Sequence, residues 1–490
     1  MTALHDLTAT EQVRLLATGE LTSAELTDQY LGRIERANPT LRAFTTVDAE
    51  GARQRAAEAD AAGRPGVLHG LPIGDKDLTN RAGVPTSYGS RVMAGFVPAA
   101  SDPLITTIDG HGAVSLGKTN TPEFGFPCYC ENELPGGVAR NPWDLDRGPG
   151  GSSGGAGVAV SAGLLPVAPG SDGGGSIRIP AAANGLVGLK PSRGRVPDGS
   201  GLDALAGLGV AGPLARTVED AALLLDAMIA RDGAGEVANR FATAAATAPP
   251  RSYVAALTDE SGRRPLRIAW NTWSPWAPTY DISLAPEAGA ALEAGIEAAR
   301  GRGHEVVEYT PAPAPDYFDA FRAVWRGGAA GLPLGEEQLE LVEPLTAWLV
   351  RSGRELPIAD LSQGLSTLAA FERRMVAEYA PFDIVLTPAM AMTPRPLGWF
   401  DAADGERNFM QQCQYTPFTS YVNVVGLPAM SLPVLDGPLP MAVHAIGRPG
   451  DEVTLLRFAR ELEREFAWAQ RKAPGWSLGD QPGAREVAGA

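Results

Sequence analysis

The chain has 490 residues, 44% of them hydrophobic, and a formal net charge of −16. Its 58 Gly and 41 Pro stay below the roughly 25–30% that marks low-complexity sequence, so the chain can bury a large core. An acidic balance with no basic block excludes an electrostatic grip on nucleic acid or an anionic membrane, and no apolar run approaches the ~18 residues of a membrane span.

Three cysteines (Cys128, Cys130 and Cys413) make no disulfide framework, and the opening residues lack a basic stretch followed by an apolar one. A cytoplasmic protein is therefore expected. Thr22-Ser-Ala-Glu25 is a capping box before a helical pattern at Leu26, Tyr30, Leu31 and Ile34, with Asn38-Pro39 as its stop. From 66 to about 215, short apolar runs at 71–73, 113–116 and 166–168 alternate with Gly-rich turns and one small-residue helix near 154–164. Thr217 caps a helix, and 230–265 reads as a polar Ala-, Gly- and Pro-rich loop. The second half alternates strand 266–270, helix 286–301, strand 304–309, several helices to about 380 and strand 382–387. A hairpin around Asp436-Gly437 and a helix over 451–467 follow. Such alternation predicts an α/β protein with a large mixed central β-sheet covered by helices on both faces. No internal repeat is apparent. One domain over 1–475 is expected, with a helical segment 5–62, a core 66–230, a second half 265–470 and a polar tail 476–490.

Three motif matches fail on context. Gly112–Thr119 has phosphate-loop spacing, but its middle is a β-like run and Asn120-Thr-Pro122 stands where a helix must grow. Gly207–Gly212 has dinucleotide-loop spacing, yet Pro213 follows with no surrounding βαβ unit, which predicts a loop. Gly151-Ser-Ser153-Gly-Gly155 has nucleophile-elbow spacing around Ser153, but only His304 and His444 follow to act as base. The five histidines are isolated and Cys128 and Cys130 read as packing, so no metal is expected.

What remains is Pro149–Gly157 followed by Gly170–Ala182, two Gly/Ser clusters too dense for turns alone. Main chain that must approach a ligand with several amides turned one way explains them, with Ser176 as nucleophile beside its own donors. Its base is not a histidine. Only four of the 41 basic residues are Lys, and one, Lys76, lies at an apolar-flanked strand end. Lysine can lose its proton when desolvated; arginine cannot. The ordinary alternative is that Lys76 pairs with Asp75 or Asp77.

These residues resemble the amidase signature family. The Gly/Ser-rich run 149–196 carries the likeness, with support at 70–80, 116–125, 140–144, 212–228, 382–390, 422–434 and 447–456, from about residue 5 to 470 in all. The resemblance implies the amidase signature fold and a hydrolase of carbon–nitrogen bonds other than peptide bonds, working through a Ser–cisSer–Lys triad without a cofactor. It makes Ser176 the nucleophile, Ser152, 24 residues before it and next to a cis peptide, the bridging serine, and Lys76 the base. It assigns the oxyanion hole to the amides of Gly173, Gly174, Gly175 and Ser176, and loop support to Asp172 and Arg178. Ile179 stands where the glutamine-hydrolysing components of tRNA-dependent amidotransferases carry Gln, which favours a stand-alone amidase over that alternative. The expected partner is a small-molecule amide held near Phe124, Gly125, Phe126 and Tyr129, with Trp325 and Trp348 as further candidates. Many family members are homodimers, and that state stays open here. Aliphatic, aryl, peptide and cyclic amides are all compatible with these residues.

Overall fold

Strand Ile384–Pro388 divides the protein's interior. Ile384 and Leu386 join one hydrophobic core and Val385 the other, as the two-residue period of a strand requires. Its neighbour Arg267–Trp270 follows suit: Ile268 lies with the first core, Ala269 with the second. The computed structural model describes residues 2–63, 66–197, 205–229, 252–259, 261, 263–480 and 486–487.

The eight strands of this sheet run in the spatial order Val167–Asp172, Val210–Ala215, Val187–Lys190, Ala429–Leu435, Met441–Gly447, Ile384–Pro388, Arg267–Trp270 and Glu305–Glu308. Only the last three are mutually parallel, so the sheet is mixed. Helices Pro286–Gly301 and Glu452–Phe466 cover one face, and Tyr317–Ala330, Ile358–Tyr379 and Ser420–Val425 the other. The α/β architecture with a large mixed sheet is thus as the sequence predicts. A three-stranded sheet of Phe44–Val47, Val114–Thr119 and Pro72–Lys76 stands beside it, with Lys76 opposite Thr119.

Most predicted elements fall within a residue or two of those observed, and Val114–Thr119 is a strand throughout, which disposes of the phosphate loop. Three expectations change. The helix capped by Thr22 and Glu25 runs through Pro39 to Leu41, because in the last turn proline forfeits only one hydrogen bond, and Arg42 closes it at φ 54°. Residues 210–212 are strand rather than loop, since they pair residue for residue with Asp172, Ser171 and Gly170. Within 230–265, Tyr253–Thr258 is helical, with Asp226 accepting from the Tyr253 amide at 2.9 Å; residues 230–251 lie outside the described residues. The tail is not wholly loose: Trp476 is buried and Glu486–Val487 pairs with Thr2–Ala3.

Candidate active site

Strand Pro72–Lys76 ends by carrying the Lys76 side chain under the two Gly/Ser clusters. The first cluster leads into helix Gly154–Ser161, all of whose residues are buried. Gly155 is required there, because a Cβ would run into the Asn120 amide and the Ala43 carbonyl. The second cluster leaves strand Val167–Asp172 and turns into helix Arg178–Asn184.

The two clusters are fastened by Ser153. Its amide donates to the Ser176 carbonyl at 3.1 Å, and its hydroxyl stands 3.2 Å from both the amide and the carbonyl of Ser171. A serine so committed is structural, which removes the elbow pattern's candidate. Ser152 adjoins a cis peptide after Gly151, and its Oγ lies 2.8 Å from Lys76 Nζ. The amine also reaches the Ser171 hydroxyl at 2.9 Å and the Ser171 carbonyl at 3.2 Å.

Lys76 pairs with neither flanking aspartate. Asp75 accepts from Arg81 at 2.6 Å and from Ser115 at 2.8 Å, while Asp77 accepts from Thr45 at 3.0 Å and from both the amide and the hydroxyl of Ser87. Lys76 is 2% exposed, and burial brings its amine down from 10.5 to about 7 against the upward pull of the Asp172 carboxylate.

Asp172 is itself fully engaged. It accepts from Arg178 Nε and Nη2, each at 2.9 Å, from the Asn423 amide group at 2.9 Å and from the Gly175 amide at 2.7 Å. Burial alone would raise its carboxyl, but Arg178 outweighs it and holds the group well below the usual carboxylate range. Arg178 Nη1 lies 3.0 Å from His444 Nε2, so that nitrogen is the acceptor and the ring is neutral. Burial and Arg178 together hold His444 well below its ordinary value.

The Gly175 amide, expected among the oxyanion donors, is therefore turned to Asp172 instead. Gly173, Gly174 and Ser176 offer amides with no acceptor among the described residues. The Ser176 hydroxyl likewise makes no hydrogen bond among them and opens onto a cavity of about 310 Å³ shared with Ser152, Ser171, Asp172 and Gly173.

Phe124, Gly125, Phe126 and Trp325 line that cavity. Tyr129 does not. It stacks on Phe400 at 4.2 Å and its hydroxyl accepts from Asn408 at 2.7 Å, a core position. Trp348 also lies outside the lining and packs at 6.1 Å from Phe409. Sequence reasoning overlooked Ser171, although it directly precedes Asp172 in the second cluster. It also overlooked Asn423, which donates to the Asp172 and Leu208 carbonyls at 2.7 and 3.0 Å, and the apolar wall of Leu205, Leu208, Leu332 and Pro333. Nothing in the local pattern marks those residues. Among the described residues no group of three or more His, Cys, Asp and Glu side chains is placed to hold a metal ion, and no helix is long and apolar enough to cross a membrane.

A desolvated amine hydrogen-bonded to a serine below a glycine-rich loop is a pairing of the kind that activates a nucleophile. The amidase family's sequence pattern matches residues 25–456, and the chain belongs to that family, whose enzymes hydrolyse carbon–nitrogen bonds. It is 37% identical to the protein called amidase AmiB2 in Mycobacterium tuberculosis (strain ATCC 25618 / H37Rv), over 95% of this chain and 97% of that one. It is 34% identical to a glutamyl-tRNA(Gln) amidotransferase component of Roseiflexus sp. (strain RS-1), over 96% and 99%. Among solved structures, 6-aminohexanoate cyclic dimer hydrolase superposes with a TM-score of 0.86 at 28% identity, covering 96% of this chain and 99% of that one.

Proposed function

We propose that the protein hydrolyses a carboxylic amide to a carboxylate and ammonia or an amine through an acyl-enzyme on Ser176. The supporting observation is the buried Lys76 amine, 2.8 Å from Ser152 Oγ in a cavity wall that Ser176 shares. Neutral Lys76 takes the Ser152 proton, Ser152 takes the Ser176 proton, and the Ser176 oxygen forms its bond to the amide carbon. The link between the two serines tightens in the substrate complex, as catalytic hydrogen bonds commonly do. Negative charge on the former carbonyl oxygen meets the amides of Gly173, Gly174 and Ser176, each such donor being worth about 3 kcal/mol. As the carbon–nitrogen bond breaks, Ser152 hands a proton to the nitrogen and recovers one from Lys76. Water, deprotonated through the same relay, then releases the carboxylate and restores Ser176.

A serine-directed fluorophosphonate tests the assignment. The adduct is expected on Ser176; mass spectrometry finding it on Ser153, or on no serine between 149 and 178, rejects the reading.

The Roseiflexus relative raises a second reading, the glutamine-hydrolysing component of an amidotransferase. It has less support. Among the described residues Asp172 is the one charged residue lining the cavity, and its carboxylate is committed to Arg178 and Asn423, which leaves none of those residues with a free charge for an amino acid's ammonium or carboxylate. Amide hydrolysis by the isolated chain favours the first reading; co-purification with further protein chains favours the second.

A further inference from the structure

Ser176 also faces a second, smaller cavity of about 60 Å³. Phe126 and Trp325, packed edge to face at 6.1 Å, belong to both walls, so the two spaces meet at the nucleophile. Ser152 lines only the larger one. That asymmetry orients a substrate. The tetrahedral carbon on Ser176 carries an oxygen facing the loop amides, a nitrogen that must reach Ser152 for its proton, and an acyl substituent. With the nitrogen towards Ser152, the amine arm enters the larger cavity. The acyl arm is left the direction of Gly174 and Ile179, which line the smaller one.

The smaller cavity offers a substrate chain few polar partners. Trp276, Phe321, Trp325 and Phe409 stand in its wall. Apart from Ser176 itself, its amide and hydroxyl side chains are already engaged: Gln412 accepts from the Cys128 amide at 2.9 Å and donates to Asn408 at 2.7 Å, Ser420 accepts from Trp276 at 3.0 Å, and Thr416 donates to the Gln412 carbonyl at 3.0 Å. Burial pushes the Cys128 and Cys413 thiols up, so neither carries charge. That volume is about four to six times the ~10–15 Å³ that admits one water-sized group, room for a short chain only.

Resting on the acyl-enzyme reading above, we propose that the preferred substrates are N-substituted amides with a short, uncharged acyl chain in the Phe409 cavity and a bulkier apolar amine in the Leu332 cavity. A homologous series of p-nitroanilides from acetyl to decanoyl tests this through kcat/KM. The expected profile climbs about three- to fourfold per methylene to a maximum at about four to six carbons, then falls at least tenfold by decanoyl. Phe409→Ala and the milder Phe409→Leu move the maximum to longer chains, whereas Leu332→Ala leaves it in place and improves turnover of bulkier anilines. A flat profile, a rise continuing to decanoyl, or a maximum moved by Leu332→Ala and not by the Phe409 variants overturns the proposal. So does hydrolysis of no member by protein whose Ser176 still takes the fluorophosphonate. Loss of that label overturns instead the acyl-enzyme reading, which keeps the two failures apart.

Discussion

Burial by itself does not single out Lys76. Lys118 and Lys190 are just as inaccessible, and burial lowers both amines. Those two spend themselves on backbone: Lys118 donates to the Thr79 carbonyl and Lys190 to the Pro191 carbonyl at 3.0 Å. Lys76 alone of the three touches a hydroxyl on the cavity wall, and this contact, rather than lysine scarcity, marks it. The role has a pH signature. In the proposed relay the competent form is the neutral amine, which predominates above its pKa of about 7. Rate should therefore be lost on the acid side: kcat/KM is expected to fall about tenfold per pH unit below ~6 and to level off above ~8. Lys76→Arg keeps a cation but holds its proton at all of these pH values and so cannot accept another, and should lose on the order of 10³-fold or more in kcat/KM. Steady-state rates from pH 5 to 9 check both; an active Arg variant, or a wild-type profile flat through pH 7, removes Lys76 as base.

At the scale of elements, adjacent serines do unlike work because one ends a strand-to-helix connection and the other begins the helix. Ser152 projects to Lys76 and the cavity, whereas Ser153, turned inwards, staples the helix start to strand Val167–Asp172. Ser153→Ala leaves the Ser171 amide without its partner in a fully buried place, a cost of ~1–3 kcal/mol. Ser152→Ala leaves the Lys76 amine its two Ser171 contacts. The expectation is a crossed result: Ser153→Ala melts lower yet still takes the fluorophosphonate on Ser176, while Ser152→Ala melts near wild type and loses on the order of 10³-fold in kcat. Melting curves with labelling of both variants decide it, and equal melting temperatures would dissolve the distinction. The neighbouring elements also show what a linear pattern conveys. Strand Arg267–Trp270 and helix Pro286–Gly301 are legible because each carries an apolar period and a stop signal of its own. The Lys76, Ser152 and Ser176 set is legible because its residue types are costly outside a site. Strand Val210–Ala215 is not, since Gly212 and Pro213 argue against a strand and only their pairing with Gly170 and Pro169 overrules them. The same holds for the cavity wall. Tyr129 and Phe126 are alike in sequence, and only the packing of Phe400 against one and Trp325 against the other separates core from lining.

Across the whole molecule, segments near both chain ends and the helix that follows the first Gly/Ser cluster converge on one buried guanidinium. Arg33, on helix Ser23–Leu41, donates to the Gly163 and Ala162 carbonyls just after helix Gly154–Ser161, at 2.8 and 3.2 Å. It also donates to the Trp476 carbonyl at 2.8 Å and to Asp480 at 2.9 Å. The Trp476 ring lies beneath the Arg33, Arg216 and Lys472 cations at 5.0–5.5 Å, so a stretch that reads as polar tail anchors the structure. His5 completes the junction, its Nε2 at 2.9 Å from Arg33 Nη1 and at 3.7 and 3.8 Å from the carboxylates of Asp6 and Asp480. Burial first and Arg33 second bring the His5 ring down from 6.5 to about 4, with Lys472 adding to them and the two aspartates opposing. The sign of the consequence follows. Between about 6.5 and 4 the unfolded chain binds a proton at this site that the folded chain refuses, so stability is present above 6.5 and drains away as pH falls through that window. Thermal melts at pH 7 and pH 5 should show a larger fall in Tm for wild type than for His5→Gln, which has no ring to protonate. If the two proteins lose the same amount, the acid sensitivity belongs to other groups and the Arg33 junction does not govern it.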